Sequence, residues 1–502
     1  MAADIRDVRI AKLEGDVAEL KVLLGRALAR VDVLEAENAD LRAENEALRV
    51  ENTDLRARLN QNSSNSSMPP SSDRPGVERQ PKKPRTGKKP GGQPGHDKAS
   101  RELLPVEKVD HVVELIPDKC GRCNGRRLKR TKAAPRRHQQ TEIPRPKPEV
   151  TEFQCHSACC EDCGAITEAE LPPEAVPTFG ERLTALVCGM MAQYRLSKRG
   201  VQAYLADVHQ VSMSLGMVPK LGAEMGAALA TPVAGAEVYV RESQTATHAD
   251  ESGWYEGKRD GRARRAWIWT FATALVVVFR ISLSRGSAVA KSVLGEDFNG
   301  YLCTDRWCGY NWYDLALRQI CWSHITRDFQ GFIDRGGVGA RYGNELMAER
   351  NKMFRWWHRV RDGTLERDVF EQRMRPVRRR VERLLREAAV RASGKTAGMC
   401  AEILKLEEAL WTFIDVEGVE PTNNFGERCI RHAVMYRKTS FGTQSDTGSR
   451  FVERAMTAFT TLKLQKRNVL DFLTLAIRAH RTGGAAPSLL PPPQLATLAI
   501  AA

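Results

Sequence analysis

Nowhere in the 502 residues does an apolar run approach the ~18 residues of a membrane-spanning helix. The first residues, MAADIRDVRIAKLEGD, lack the apolar core of a secretory signal. Together these absences predict a cytoplasmic chain with no membrane partner. Acid is in short supply: 62 Asp and Glu face 77 Lys and Arg, a formal charge of +15. That imbalance points to a polyanionic partner, nucleic acid before an anionic lipid surface. The length allows several domains and at least one large core. Twelve cysteines in a cytoplasmic chain read as thiols or metal ligands, not disulfides.

Residues 8–60 carry a heptad repeat. Ile10, Val17, Leu24 and Val31 occupy one apolar position, a, and Asn38, Asn45 and Asn52 follow in the same series. Leu13, Leu20, Leu34, Leu41, Leu48 and Leu55 occupy the other, d, with Ala27 among them. Leu at d with β-branched residues and Asn at a favours a parallel two-stranded coiled coil, and hence a homodimer. The rod would be roughly 75 Å long. One long helix packed on its own protein is the alternative. Residues 61–100 turn to NQNSSNSSMPPSSDRPG and PKKPRTGKKPGGQPGH, too poor in apolar residues to bury a core. They read as a flexible basic linker, suited to phosphates or simply to solvent.

Residues 101–175 hold CGRC, with Cys120 and Cys123, and CHSACCEDCG, with Cys155, Cys159, Cys160 and Cys163. The pairs Cys120/Cys123 and Cys160/Cys163 supply four thiolates for one tetrahedral structural Zn2+. Cys155 and Cys159 are spare thiols, and reduced structural cysteines are the alternative. The 36 residues between the pairs call for a small sheet to bring them together. From 74 to 150, 21 Lys and Arg stand against 9 Asp and Glu, which suits DNA. Residues 176–236 read as helical. Within them, LSKRGVQAYLADVHQVSMSLGMVPKLGAEMG fits helix, turn, helix, with the turn at 211–214 and a second helix from Leu215. Such a unit can place its second helix in the major groove; an ordinary helical hairpin fits as well. Pro219 is tolerated only near the helix start.

From 237 the composition turns to strands. EVYVRESQTATHADESGW, ARRAWIWTFAT, ALVVVFRISLS, NGYLCTDRW and LRQICWSHI predict three strands, a helix, a strand, a helix and a strand. The whole is therefore a multidomain α+β chain with a mixed sheet. Basic amphipathic helices follow over about 331–420, more helix over 441–482, and a disordered tail over 483–502. Three acids stand out: Asp250 and Asp305 at strand ends, and Glu427 opening a helix in PTNNFGERCIRH. Converging carboxylates suit two Mg2+ or Mn2+ ions, which clamp the oxygens of an in-line phosphoryl displacement. Taken singly, each aspartate reads as a solvated strand end, and Glu427, three residues after Asn424, fits a capping box.

The motifs NQNSSNSSMPPSSD, KKPGGQPGH, CEDCG, RLSKRGVQAYLADVHQVSMSLG, HADESGW, TDRWCGYN, CWSHITRDF and TNNFGERCIR, in this order and spacing, resemble the insertion-sequence-66 family of bacterial transposases. The resemblance runs from about 30 to 480. It implies a ribonuclease-H-like catalytic core over 237–440, with a helical insertion at about 331–420. An Asp-Asp-Glu triad would fall on Asp250, Asp305 and Glu427. It implies metal-dependent cleavage at the element ends, strand transfer into target DNA, association with the nucleoid, and accessory proteins of the element as further partners. Glu251 and Arg306 would support the aspartates; Arg428 and Arg431 would neutralise phosphate or orient Glu427. Cys321 and His324, in CWSH, read as supporting structure rather than a zinc site. A non-catalytic DNA-binding regulator, an inactive remnant and a nuclease without strand transfer are the rival functions.

Overall fold

A computed structural model of the chain describes residues 5–66, 101–172, 175–259 and 261–493. Most of the expected linker, 67–100, and the end of the expected tail, 494–502, lie outside the described residues. Contacts divide the chain into two units, one of residues 1–77, 172–196 and 220–502, the other of residues 78–171 and 197–219.

The heptad stretch is one 55-residue helix, α1 (Ile5–Leu59). Both heptad series lie exposed, Leu20 by 63% and Leu41 by 57%. Two of the Asn side chains at a bond back to their own helix, Asn38 Nδ2 to Leu34 O at 3.1 Å and Asn52 Nδ2 to Leu48 O at 3.4 Å. Residues 60–66 depart from the flexible linker expected of them. Asn62 N–H donates to Asn65 Oδ1 at 2.9 Å, and Asn65 Nδ2 donates to Asp334 Oδ2 at 2.9 Å. Asn and Ser side chains close such turns by standing in for backbone partners, so the polarity that suggested a linker builds a docked turn.

The second unit contains a hairpin of β1 (Ser157–Cys159) and β2 (Ile166–Glu168). In the first unit, α2 (Glu181–Ala192) buries an almost continuous apolar face. Helix α3 (Lys198–His209) is capped by Ser197, which accepts from Gly200 N–H at 3.0 Å. Helix α4 (Met217–Ala228) starts two residues later than expected, with Pro219 in its first turn, where the missing N–H is not needed. Helix α5 (Ala230–Arg241) takes Glu237–Arg241, expected to open the first strand. Val233, Ala236 and Val240 are buried at helical spacing, and this outweighs the local β-propensity.

The sheet comprises β3 (Thr247–Arg259), β4 (Arg262–Ala272), β5 (Val277–Ser282), β6 (Leu302–Thr304) and β7 (Arg318–Ile320), with α6 (Ser287–Leu294) between β5 and β6. Its order is β5-β4-β3-β6-β7; β5, β4 and β3 run antiparallel, and β3, β6 and β7 parallel. The helix expected between the last two strands is replaced by short 3-10 turns at Cys308–Tyr310 and Leu315–Leu317.

Next come α7 (Trp322–Asp334), α8 (Gly337–Arg361), α9 (Arg367–Arg391), α10 (Gly394–Leu404) and α11 (Thr412–Asp415). Phe329, Phe332, Tyr342, Trp357, Phe370 and Phe413 from these helices form a core continuous with Cys303 of β6 and Ile320 of β7. On α9, Phe370, Met374, Val377, Val381, Leu384 and Ala388 form one buried stripe, leaving the arginines to the other faces.

The chain then returns to the sheet. Helix α12 (Asn424–Ser440) packs on β3 and β4, and α13 (Asp446–Leu464) packs on β5, followed by α14 (Val469–Thr482). Helix α13 closes the open edge of β5 with side chains. Thr461, Thr457 and Glu453 accept from the N–H groups of Val277, Phe279 and Ile281 at 3.0, 2.9 and 3.0 Å. Acceptors every fourth residue of a helix thus serve donors at every second residue of a strand, and the edge cannot recruit another chain. Part of the expected disordered tail is also packed: Leu489 is buried, and its carbonyl accepts from Gln465 at 2.8 Å. Among the described residues, no helix is long and apolar enough to cross a membrane.

Candidate active site

Asp250 lies on β3, paired in register with Thr270 of β4. Asp305 follows the last residue of β6, the parallel neighbour of β3. The pairing of Thr247 and His248 with Leu302 and Cys303 brings Asp250 and Asp305 level on neighbouring parallel strands. Asp305 stands just past the end of β6, but Asp250 is inside β3, which runs on to Arg259, and not at the strand end that the sequence suggested. Asp305 is held by its backbone: its carbonyl accepts from Thr304 Oγ1 at 2.7 Å and Arg318 Nη2 at 3.0 Å, and its Oδ1 accepts from Trp307 N–H at 2.8 Å. Asp250 Oδ1 accepts from Glu251 N–H at 2.9 Å.

Glu427 comes from the first turn of α12. The capping box that its spacing suggested does not form. The N-cap is Asn423, without a side-chain cap bond. The Asn424 side chain instead accepts from Ser323 Oγ at 3.2 Å. What places Glu427 is the buried Asn423, whose Nδ2 donates to Ala249 O on β3 at 2.7 Å. Its Oδ1 accepts from His248 Nδ1 at 2.9 Å, and its N–H points to Cys321 Sγ at 3.1 Å. One residue, through its side chain and its backbone N–H, thus ties together β3 next to Asp250, the start of α12, and the start of α7. Gly426 makes room for it, since a Cβ there would come within 2.8 Å of Asn423 Oδ1.

The acids act on one another. Burial, then the negative charges of Glu251, Asp305 and Glu427, push the Asp250 carboxyl well above the usual range. Burial also raises Glu427, with Asp305 adding to it and Arg327 and Arg431 opposing it. Arg327 Nη2 stands 3.7 Å from Glu427 Oε1. A cluster of half-buried carboxylates that repel one another is relieved by a cation. Glu427 Oε1 is buried without a hydrogen-bond partner. The three-oxygen donor set fits hard divalent ions.

The neighbours of the aspartates have separate tasks. Both oxygens of the buried Glu251 are taken, one by Arg285 at 2.8 Å and one by the Tyr310 hydroxyl at 2.7 Å. Arg306 pairs with Asp328 of α7. Arg428 lies over the Phe425 ring. His324 reaches towards Glu427, with Nδ1 3.9 Å from Oε1. Burial and the cations Arg327 and Arg306 bring its imidazole down to about 4, so it is neutral at pH 7.

Residues 178–450, more than half of the chain, match the Transposase IS66 family. The chain belongs to this family. Residues 4–102 match a second model, described as a family of unknown function. A curated relative within reach of this IS66 member is the uncharacterized protein y4qI of Sinorhizobium fredii (strain NBRC 101917 / NGR234). It is 26% identical over 341 residues, covering 62% of this chain and 61% of the relative. The match therefore spans less than two thirds of that relative's length.

In this IS66-family chain the paired cysteines form two turns that repeat each other bond for bond. Cys120 N–H donates to Gly125 O at 2.9 Å, and Asn124 N–H to Cys120 O at 2.9 Å. Cys160 N–H donates to Ala165 O at 2.8 Å, and Gly164 N–H to Cys160 O at 2.9 Å. Asn124 and Gly164 both take positive φ. In each knuckle, backbone N–H groups aim at the leading sulfur and hold its thiol below the usual range: those of Cys123 and Arg122 on Cys120, and those of Cys163 and Asp162 on Cys160. The small sheet expected to bring the two pairs together is a hairpin that flanks the second knuckle alone. The four thiols are not gathered within ligating reach of one another. Among the described residues, the group of three metal-ligating side chains drawn together is Cys321, His324 and Glu427. Sequence reasoning did not single out Asn423 or Arg327; the one signal for them was their place inside TNNFGE and CWSHITRD.

Proposed function

We propose that this chain is a DNA transposase that cuts at the ends of its element and joins the exposed 3′-hydroxyl to target DNA, using Asp250, Asp305 and Glu427. What supports the reading is that the three carboxylates act on one another, Asp305 and Glu427 raising Asp250 and Asp305 raising Glu427, with Asp250 and Asp305 on neighbouring parallel strands. Their oxygens are not gathered within ligating reach of one another as they stand. The strand order, three antiparallel then two parallel, supports a ribonuclease-H-like core with α8–α11 as its helical insertion. The carboxylates would hold Mg2+ or Mn2+, which when bound stabilise the attacking and leaving oxygens of a phosphodiester. Asp250 and Asp305 set the pair of carboxylates on rigid strands. Asn423 sets the third against them. Arg327 and the exposed Arg431 offset the charge of Glu427 and suit a DNA phosphate.

The same reading assigns α1 to dimerisation, since an exposed apolar stripe along a 55-residue helix is normally covered. It assigns the cysteine knuckles to structural zinc, and the basic segment around them to the terminal inverted repeats. Accessory proteins of the element would complete the assembly on DNA.

The test is strand joining by purified protein on a labelled element end with Mg2+. Asp305→Asn should lower joining by at least about 100-fold while end binding stays within about twofold. Joining at the wild-type rate by a folded Asp305→Asn protein would remove Asp305 from the chemistry. Binding by wild type without nicks or joints would favour the non-catalytic regulator.

A further inference from the structure

Cys321 is the N-cap residue of α7, and His324 lies in its first turn, so C-x-x-H spacing sets a sulfur and an imidazole on one side of the helix start. That start is stitched to the start of α12. Trp322 N–H donates to Pro421 O at 2.9 Å, Ser323 Oγ to Asn424 Oδ1 at 3.2 Å, and Asn423 N–H to Cys321 Sγ at 3.1 Å. The ligand atoms of Cys321, His324 and Glu427 consequently all lie within 4.8 Å of one another. His324 Nδ1 and Glu427 Oε1 are both buried, and neither has a hydrogen-bond partner. A hydrogen-bonded His–Glu pair would close to about 2.8 Å. These two atoms stand 3.9 Å apart, close to the roughly 3.3–3.6 Å that separates ligands around one tetrahedral ion. The gap has the width of an ion, with sulfur on its third side.

We propose that Cys321, His324 and Glu427 form a cation site of their own, taking one borderline-soft divalent ion of the zinc class. Sulfur and imidazole select against Mg2+, which prefers oxygen alone. Three protein donors leave a fourth position open, the pattern of zinc sites that bind water or substrate rather than purely structural ones. Glu427 belongs to both donor sets. An ion here would therefore draw Glu427 away from Asp250 and Asp305, a consequence that rests on the transposase reading; the binding itself does not.

Cobalt(II) reports the site directly, through thiolate charge-transfer absorption in the near ultraviolet and ligand-field bands in the visible. The full-length chain is titrated with Co2+, and the knuckle cysteines contribute equally to every variant compared. Relative to wild type, Cys321→Ser should lose one equivalent of tightly bound Co2+ and its share of the thiolate band. His324→Gln and Glu427→Gln should weaken that equivalent by at least about tenfold. Asp250→Asn should retain it, so a failure of the triad and a failure of this site give different results. Identical stoichiometry and spectra for wild type and a folded Cys321→Ser protein would overturn the proposal. Should Cys321→Ser not fold, unchanged Co2+ binding by both His324→Gln and Glu427→Gln would overturn it equally.

Discussion

Around Asp250 the sheet packs Trp254, Trp269 and Phe271, none more than 1% exposed. Between residues 101 and 171 no described residue is buried at all. The first region can force like charges together because apolar packing on both sides of β3 and β4 outweighs their repulsion. The second has no core with which to hold its backbone. Its regular features are the two cysteine knuckles, a 3-10 turn at Val106–Lys108 and one short hairpin, and on the proposed zinc assignment such a segment would take its folding energy from the ion. On the proposed function the two regions would depend on cations differently: the knuckle region would need one to be ordered, and the sheet would need one to act.

The largest effect should come from breaking the knuckles. Cys120→Ser with Cys160→Ser, or chelation of wild type, should make residues 101–171 rapidly cleavable by protease. The cooperative melting of the sheet region should change by less than about 0.5 kcal/mol. Mass spectrometry of the fragments and circular dichroism on heating measure the two together. A sheet that melts along with the knuckles would erase the distinction.

A smaller loss is expected on the sheet side from Asn423→Ala. It strands Ala249 O and the His248 imidazole in the interior, at about 1–3 kcal/mol for each unsatisfied group. Urea denaturation should show a lower midpoint with an unchanged slope.

The smallest effect has the opposite sign. The folded state holds the Asp250 proton to higher pH than the unfolded chain does. Above the ordinary Asp value of about 3.9, and up to the folded value, the folded state binds more protons, so stability falls as pH rises through that window. In metal-free protein, Asp250→Asn should therefore be more stable than wild type at neutral pH. The advantage should vanish below pH 4. Melting curves across pH with a chelator present measure it, and added Mg2+ should narrow the difference.

How much of this could be read from the letters follows the kind of interaction involved. Periodic features were legible: the heptads of α1, the basic helices of the insertion and the five strands all follow from spacing along the chain. Asp250 lies inside β3, which runs on to Arg259, whereas Asp305 was legible as a strand end, a local feature. Glu427 was less so. Asn424 and Glu427 have capping-box spacing, yet the helix begins at Asn424 and its side chain turns to Ser323, a partner 101 residues away. Long-range partners also explain the failures. Glu237–Arg241 is helical because Val240 is buried in the fold, residues 60–66 are ordered by Asp334, and Leu489 is packed and held by Gln465. Cys321 and His324 carried a spacing signal, but nothing along the chain reveals that a glutamate 103 residues after His324 completes the group.

The central claim is that Glu427 acts with the two aspartates in DNA strand transfer. Its most direct test is mobility in cells. A donor plasmid carries a marker between the DNA ends that flank this gene, neighbouring reading frames of the element are supplied, and wild type is compared with Glu427→Gln at matched protein levels. The account predicts hopping by wild type and a loss of at least about 100-fold in the variant, with end binding retained. Wild-type hopping by a stably folded Glu427→Gln protein would contradict it.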